Sequence, residues 1–346
     1  MGQARRAAGL RAAVVGYGGA FNMGRKHLEE MQRAGMAPAA VAEIDPARLD
    51  VARTDFPGIE VYASLDELLA RSDANVIAVI TPHNTHAPLA IAALEKGRHV
   101  VCEKPLAITT DECDRMIAAA KRGGAVLSTY HNRHWDGCIV EAVRRIRAGE
   151  IGDVYRIEAH MGGFGPPRDW WRTSKTTSGG ILYDWGVHLL EYAFQIVGAR
   201  IVEVSGFAKR GHWAPHTRWK DDTNEDEAFA VVRFDNGVWL TLNMTSLDMR
   251  AKGDRGQLEI SGTRGTYCMN GGDFEIWRGD GKGTTSITRG RNPESEGWRY
   301  YQNLADHILK GEPLTITPEW SRRPIHVLDL AVRSAEAGRA MPAAYG

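Results

Sequence analysis

Cysteine is scarce and scattered. Cys102, Cys113, Cys138 and Cys268 form no C-x-x-C pair, so neither a zinc knot nor a disulfide framework is expected, and a reducing, cytoplasmic compartment suits the chain. Net charge is lacking as well. The 43 Lys+Arg and 43 Asp+Glu cancel, which leaves no whole-chain field to hold nucleic acid or an anionic membrane, so any charged ligand must be caught by a local site. No apolar run reaches the roughly 18 residues of a membrane-crossing helix. Arg5-Arg6 is followed by Arg11 rather than by a hydrophobic region, which argues against an export signal. Repeats and low-complexity segments are missing too. The histidines of HNTH (83–86) and HNRH (131–134) stand at x-x spacing without a third ligand, so no metal is expected.

What is present is the composition of a globular protein, 43% hydrophobic and 25% charged over 346 residues, enough for a sizeable core and long enough to favour two domains. LRAAVVGYG (10–18) is a short apolar run ending in glycine and reads as a buried parallel strand; the spacing of Leu28, Met31 and Gln32 predicts a helix over 26–35. A strand PAAVAEID and a helix opened by Asp45-Pro46 come next. VYASLDELLA, NVIAVITP, a helix over 86–96, HVVCEKP and a helix over 110–122 continue the alternation. That is the rhythm of βαβ units, so the expected fold class is α/β, beginning with a doubly wound parallel Rossmann sheet. Beyond Ala125 the pattern changes. A helix over 139–148 is followed by period-two strands between Gly-rich turns, interrupted by a helix over 181–197 and closed by helices over 299–309 and 319–337. This predicts a Rossmann-type domain over 1–128 and an α+β domain over 129–346 with an open, mostly antiparallel sheet, whose uncovered face suggests oligomerisation.

Three clusters carry chemistry. Gly16-Tyr17-Gly18-Gly19-Ala20-Phe21-Asn22 joins the first strand to its helix, where glycine lets the main chain approach a pyrophosphate and the helix N-terminus stabilises its charge. Phe21 stands where the third small residue of G-x-G-x-x-G belongs, and Gly24 is placed to take that role after a longer loop. Glu43, at the end of the second strand, can accept from the adenosine ribose hydroxyls and repel a 2′-phosphate, favouring NAD over NADP. The second cluster is at the carboxyl ends of two further strands, Thr81-Pro82-His83-Asn84-Thr85-His86 and Cys102-Glu103-Lys104-Pro105, where parallel sheets bind ligands. The third is GGILYDWGVHLLE (179–191). On a helix Asp184, His188 and Glu191 share one stripe, a carboxylate and an imidazole suited to handling a proton, with Val187, Leu190 and Phe194 opposite.

In this order, GYGGAFNMG, VAEID, TPHNTH, CEKP and GGILYDWGVHLLEY resemble the Gfo/Idh/MocA family of glucose-fructose oxidoreductase and inositol 2-dehydrogenase over nearly the whole chain. The resemblance implies a Rossmann domain binding NAD(P), a substrate held against the C-terminal sheet, and oxidation or reduction of a carbon of a sugar, cyclitol or related polyol. It makes Lys104 the catalytic lysine, His188 the catalytic histidine and Asp184 the substrate-binding aspartate. It makes Glu43 the ribose-binding acid, and sets Thr81, Pro82 and His86 beside the nicotinamide with Glu103 and Lys104. Two features depart from the family: a dinucleotide loop about three residues longer, and Glu191 in place of an aspartate.

Specificity is expected from GFGPPRDWWRTSKTTSGG (163–180), which carries Arg168, Trp170, Trp171, Arg172 and Lys175, and from Arg133. Flat indoles suit the apolar face of a pyranose, and arginines suit hydroxyls or an anionic substituent. The segment 211–226 is expected to form a lid or an arm reaching a neighbouring subunit. The reading is an NAD-dependent sugar or polyol dehydrogenase, acting as a homodimer or homotetramer through the C-terminal sheet. The alternative is a glycosidase with tightly bound NAD that oxidises C3 transiently, eliminates, adds water and is reduced again. A cofactor-sensing regulator is disfavoured because both Lys104 and His188 are present.

Overall fold

The computed structural model describes residues 9–249 and 257–344, so Arg5 and Arg6 lie outside the described residues. The chain divides into two compact units, Met1–His131 with Trp298–Arg323, and Asn132–Gly297 with Pro324–Gly346. Where one boundary was expected at 128/129, the chain passes from one unit to the other at 131/132 and again at 297/298 and 323/324. Amphipathic spacing in the closing helices marks a buried face without specifying which core buries it, which is why the return to the first unit was not read.

The first unit alternates β1 (Arg11–Val15), α1 (Met23–Arg33), β2 (Ala37–Ala42), α2 (Pro46–Asp55), β3 (Glu60–Tyr62), α3 (Leu65–Arg71), β4 (Val76–Val79), α4 (His86–Glu95), β5 (His99–Cys102), α5 (Thr110–Gly123) and β6 (Leu127–Thr129). Its six strands are all parallel in the order β3-β2-β1-β4-β5-β6. Ala12 to Val14 and Val76 to Val79 are fully buried, as a sheet covered by helices on both faces requires. The order reverses between β1 and β4, and such switch points open a crevice at the strands' carboxyl ends. Asp45 caps α2 by accepting from Ala47 N (2.9 Å), with Pro46 at the first helical position, as the sequence indicated.

The second unit holds α6 (Gly137–Arg147), β7 (Val154–Gly162), α7 (Lys175–Ser178), α8 (Leu182–Ile196), β8 (Ile201–Lys209), β9 (Glu227–Phe234), β10 (Trp239–Thr245), β11 (Leu258–Gly262), β12 (Gly265–Met269), β13 (Asp273–Gly279) and β14 (Thr285–Arg291). After α9 (Arg299–Lys310) in the first unit, α10 (Pro318–Ala337) runs from the first unit into the second, where β15 (Met341–Pro342) ends the sheet. The nine strands run β14-β13-β12-β11-β7-β10-β9-β8-β15, antiparallel except for β7 against β10. Leu240 and Leu242 of β10 are buried on the inner face, where Gly186 lets α8 come within van der Waals distance of Leu242. The opposite face carries Trp239 and Arg156 in register on neighbouring strands, and Trp277 opposite Ile287; the three apolar side chains are exposed.

Candidate functional site

The dinucleotide loop is shaped by what a methyl group could not do. Gly16 has φ +98°, and a Cβ there would stand 2.3 Å from the Ile80 carbonyl oxygen of the neighbouring strand end. Gly24 lies in the first turn of α1, where a Cβ would meet the Tyr17 ring at 2.6 Å and the Gly16 oxygen at 2.8 Å. It is therefore the glycine that lets helix and strand pack closely, and the residues between carry the extra length of the loop. Gly18 and Gly19 lie exposed on the loop, Phe21 is 51% exposed, and Asn22 takes the left-handed conformation before α1. No acid occupies the first turn of α1, which suits an anion at that helix terminus. Arg48 braces the loop, donating to the Tyr17 carbonyl (2.9 Å) and to Asn22 Oδ1 (3.3 Å). Glu43 follows β2 and accepts from the main-chain N–H of Tyr17 (2.5 Å) and of Asp45 (3.1 Å). This cradle fits a dinucleotide.

The helix expected over 26–35 begins at Met23, and its inner face is Gly24, His27, Leu28 and Met31 rather than one including the exposed Gln32. His27 is buried because both ring nitrogens have partners: Nδ1 meets the Tyr301 hydroxyl of α9, and Nε2 meets Glu103 Oε1 at 3.1 Å. Glu103 Oε2 in turn accepts from the Lys104 main-chain N–H (2.8 Å). Burial alone would raise the Glu103 pKa, but the His27 contact and the Lys104 charge outweigh it and hold the carboxyl down at about 2. The Lys104–Pro105 peptide is cis.

His86 joins the two strand-end loops. Its Nδ1 faces the Pro105 carbonyl (2.8 Å) and its Nε2 the Thr81 carbonyl (2.9 Å). Burial lowers its pKa from the ordinary value, so the neutral ring donates through one nitrogen only. The Thr85 hydroxyl reaches both the Thr81 hydroxyl and the Pro82 carbonyl. Gly16, Gly18, Gly19, Ala20, Phe21, Asn22, Glu43, Thr81, Pro82, His86, Glu103 and Lys104 all belong to the first unit.

The second unit holds Arg133, Trp171, Arg172, Asp184 and His188. Asp184 lies in the first turn of α8 and accepts from Arg172 Nη1 at 3.3 Å. The Arg172 guanidinium lies over the indoles of Trp170 and Trp171, 5.0 and 5.2 Å from their centroids. His188, one turn on and 5% exposed, packs its ring edge to face with Trp185 at 5.2 Å, and Arg133 lies over the same indole at 4.7 Å. Arg133 also donates to Asp136 (3.0 Å). Val187, Leu190 and Phe194 are buried, but so is Glu191, paired with His134 Nδ1 at 2.5 Å. Lys175, a candidate from the specificity loop, donates to Glu225 at 2.8 Å. Sequence reasoning overlooked His27, Tyr301 and Glu225. Only the paired glycines 179–180 gave a signal for the last, since they announce that some group comes close.

Residues 10–131 match the profile described as an oxidoreductase family with an NAD-binding Rossmann fold, and residues 139–268 that of the GFO/IDH/MocA C-terminal domain. The uncharacterized oxidoreductase YdgJ of Escherichia coli is 29% identical, over 87% of this chain and 80% of its own. The scyllo-inositol 2-dehydrogenase (NADP(+)) IolW of Bacillus subtilis is 24% identical, over 86% of this chain and 87% of its own. A levoglucosan dehydrogenase, solved with NADH and levoglucosan, shares the fold with a TM-score of 0.82 at 21% identity, covering 97% of this chain and 99% of its own.

Proposed function

Because the chain belongs to the GFO/IDH/MocA family of NAD-binding oxidoreductases, we propose that it moves a hydride between a nicotinamide and a hydroxyl-bearing carbon of a sugar, glycoside or cyclitol. The observation that carries this reading is α8, with Asp184 and the shielded His188 on one stripe and Arg172, stacked on indoles, against Asp184. NAD, held by the Gly16–Asn22 loop, Glu43, Thr81, Pro82, His86, Glu103 and Lys104, supplies the hydride acceptor. His188 takes the hydroxyl proton, so that no free alkoxide forms as the carbon is oxidised, and Lys104 is the other residue read as catalytic. Asp184 holds a neighbouring hydroxyl. Arg172, Trp171 and Arg133 line the sugar, an indole covering its apolar face and a guanidinium donating to its oxygens. Glu43 favours NAD over NADP because a 2′-phosphate beside its carboxylate would bring like charges together.

The test is absorbance at 340 nm with NAD⁺ or NADP⁺ and a panel of scyllo-inositol, myo-inositol, levoglucosan, D-glucose and aryl glycosides, with product analysis on the same samples. Growth of the band with NAD⁺ on a polyol is expected. Sugar release without net NADH would replace the dehydrogenase by a recycling glycosidase. Lys104→Ala and His188→Ala should each lower turnover by about 10²–10⁴-fold with NADH affinity nearly unchanged; equal losses in both would remove these roles. We further propose that the enzyme works in the cytoplasm, where free thiols such as its four persist. The exposed face bearing Trp239, Trp277 and Ile287 would pair copies into a homodimer or homotetramer. Sedimentation showing only monomer at micromolar concentration would remove the pairing.

A further inference from the structure

The specificity loop has little regular structure of its own. Within it, besides a 3-10 turn at Trp171–Thr173 and the single turn of α7, Arg172 rests on the indoles of Trp170 and Trp171 and the Thr173 hydroxyl donates to the Arg168 carbonyl, but ordering a stretch of this length costs about 1–2 kcal/mol per residue. Support comes from the polar run Asp222-Thr223-Asn224-Glu225-Asp226, which leads into β9. Asp222 accepts from the main-chain N–H of Thr176 (2.9 Å), from its hydroxyl (2.6 Å) and from the Ser174 hydroxyl. Thr223 bridges to Ser174 as an isolated antiparallel pair. Asn224 donates its main-chain N–H to the Thr173 carbonyl (2.9 Å) and its side-chain N–H to the Arg172 carbonyl (2.6 Å), while its Oδ1 accepts from Ser178 (3.1 Å).

Glu225 is almost wholly buried. Its Oε1 accepts from Lys175 and Arg210, both at 2.8 Å, and its Oε2 from the main-chain N–H of Ile181 at 3.0 Å, the residue before α8. Gly180 (φ +125°) is what admits that carboxylate, since a Cβ there would stand 2.6 Å from Oε2. Asp226 anchors the other side, accepting from the N–H groups of His212 (2.8 Å) and Trp213 (2.9 Å). The segment expected to be a lid or an arm to another subunit is thus tied, at residues 212, 213 and 222–226, into its own unit.

We propose that Asn224 and Glu225 are positioning residues of the substrate site: Asn224 sets Arg172 through its carbonyl, and Glu225 sets the first turn of α8 and so Asp184. The 3.3 Å bond between Arg172 and Asp184 is the point where the two supports meet. This rests on the reading of Arg172 and Asp184 as substrate contacts, and its experiment has one arm that needs no substrate. Asn224→Asp keeps the size and the acceptor for Ser178 but turns the donor facing the Arg172 carbonyl into an acceptor. In hydrogen exchange of the whole protein, amides of residues 173–181 should exchange about tenfold faster while those of β1 and β4 are unchanged. Unaltered exchange at 173–181 overturns the proposal.

On the polyol that responds best in the panel, Asn224→Asp should raise KM about tenfold with kcat within about threefold, the mark of lost uniform binding. In an Arg172→Ala background the same change should add less than about twofold, because its effect passes through that side chain. Additive effects, or kcat falling together with KM, would make the strap merely structural. Glu225→Gln serves as the second variant if Asn224→Asp does not fold, with the same exchange reading and with KM again the affected constant, since Asp184 is read as holding a substrate hydroxyl. If Arg172→Ala alone leaves KM unchanged, the substrate reading of Arg172 falls and takes Asn224's role with it. If no polyol is turned over, the dehydrogenase reading fails and the exchange arm still decides the strap.

Discussion

Gly16 and Gly24 in the first unit hold their places because a methyl group would strike main-chain oxygen, whereas in the second Asn224 bonds the Arg172 carbonyl and Glu225 bonds the Ile181 N–H ahead of Asp184, each across more than forty residues of sequence. One half of the candidate machinery is set by backbone geometry and the other by side chains gripping side chains and turns. The difference has a consequence for change. A cradle made of main chain tolerates few substitutions and serves one cofactor class, while a loop held by an exchangeable strap can be re-aimed without disturbing the cradle.

The contrast can be broken most forcefully at Gly16. Gly16→Ala forces either the loop or the Ile80 carbonyl to move and should cost about 4 kcal/mol in denaturant unfolding, with NADH binding lost as well. A cost under about 1 kcal/mol would mean that the main chain there is not the constraint. Next comes Glu103, a side chain in the unit ruled by backbone. Its carboxyl is held near 2 rather than the usual 4.5, so its contribution is fully present above pH 4.5 and is lost as pH falls toward 2. Glu103→Gln should therefore be less stable than the parent by on the order of 3 kcal/mol at pH 6, the gap closing by about pH 2. A pH-independent gap would detach the effect from ionisation. The smallest effect sharpens the comparison: Asp45→Ala removes the α2 cap for about 1 kcal/mol, yet NADH affinity should hold, because Glu43 binds the Asp45 main-chain N–H and not its side chain.

The same contrast explains what could be read in advance. β1 and β4 were legible as unbroken apolar runs because strands buried on both faces must be apolar, and α8 because two glycines precede an amphipathic stretch. Asp45-Pro46 announced α2 by local chemistry alone. The start of α1 was misplaced because no side-chain cap at Asn22 marks where the lengthened loop ends, and the inner face was misread because a histidine with two buried partners is indistinguishable in sequence from a solvated one. Asn224 and Glu225 sit in a polar run that reads as a solvated loop. Nothing local tells a carboxylate facing water from one facing Lys175, Arg210 and the N–H of Ile181. Lys104, Asp184 and His188 stood out because their motifs are contiguous; the groups that hold their neighbourhoods are not.

Tyr301, whose hydroxyl meets His27, belongs to a segment that re-enters the first unit after the second has been traversed. On a translating ribosome the Rossmann strands emerge early, but that hydroxyl follows residue 131 by about 170 residues, roughly 10–30 s later at ordinary elongation rates. Throughout that interval the nascent first unit exists without the partner that sits on His27, and through His27 on Glu103. The order of synthesis thus makes completion of the Glu103 surroundings one of the last events in the life of the new chain.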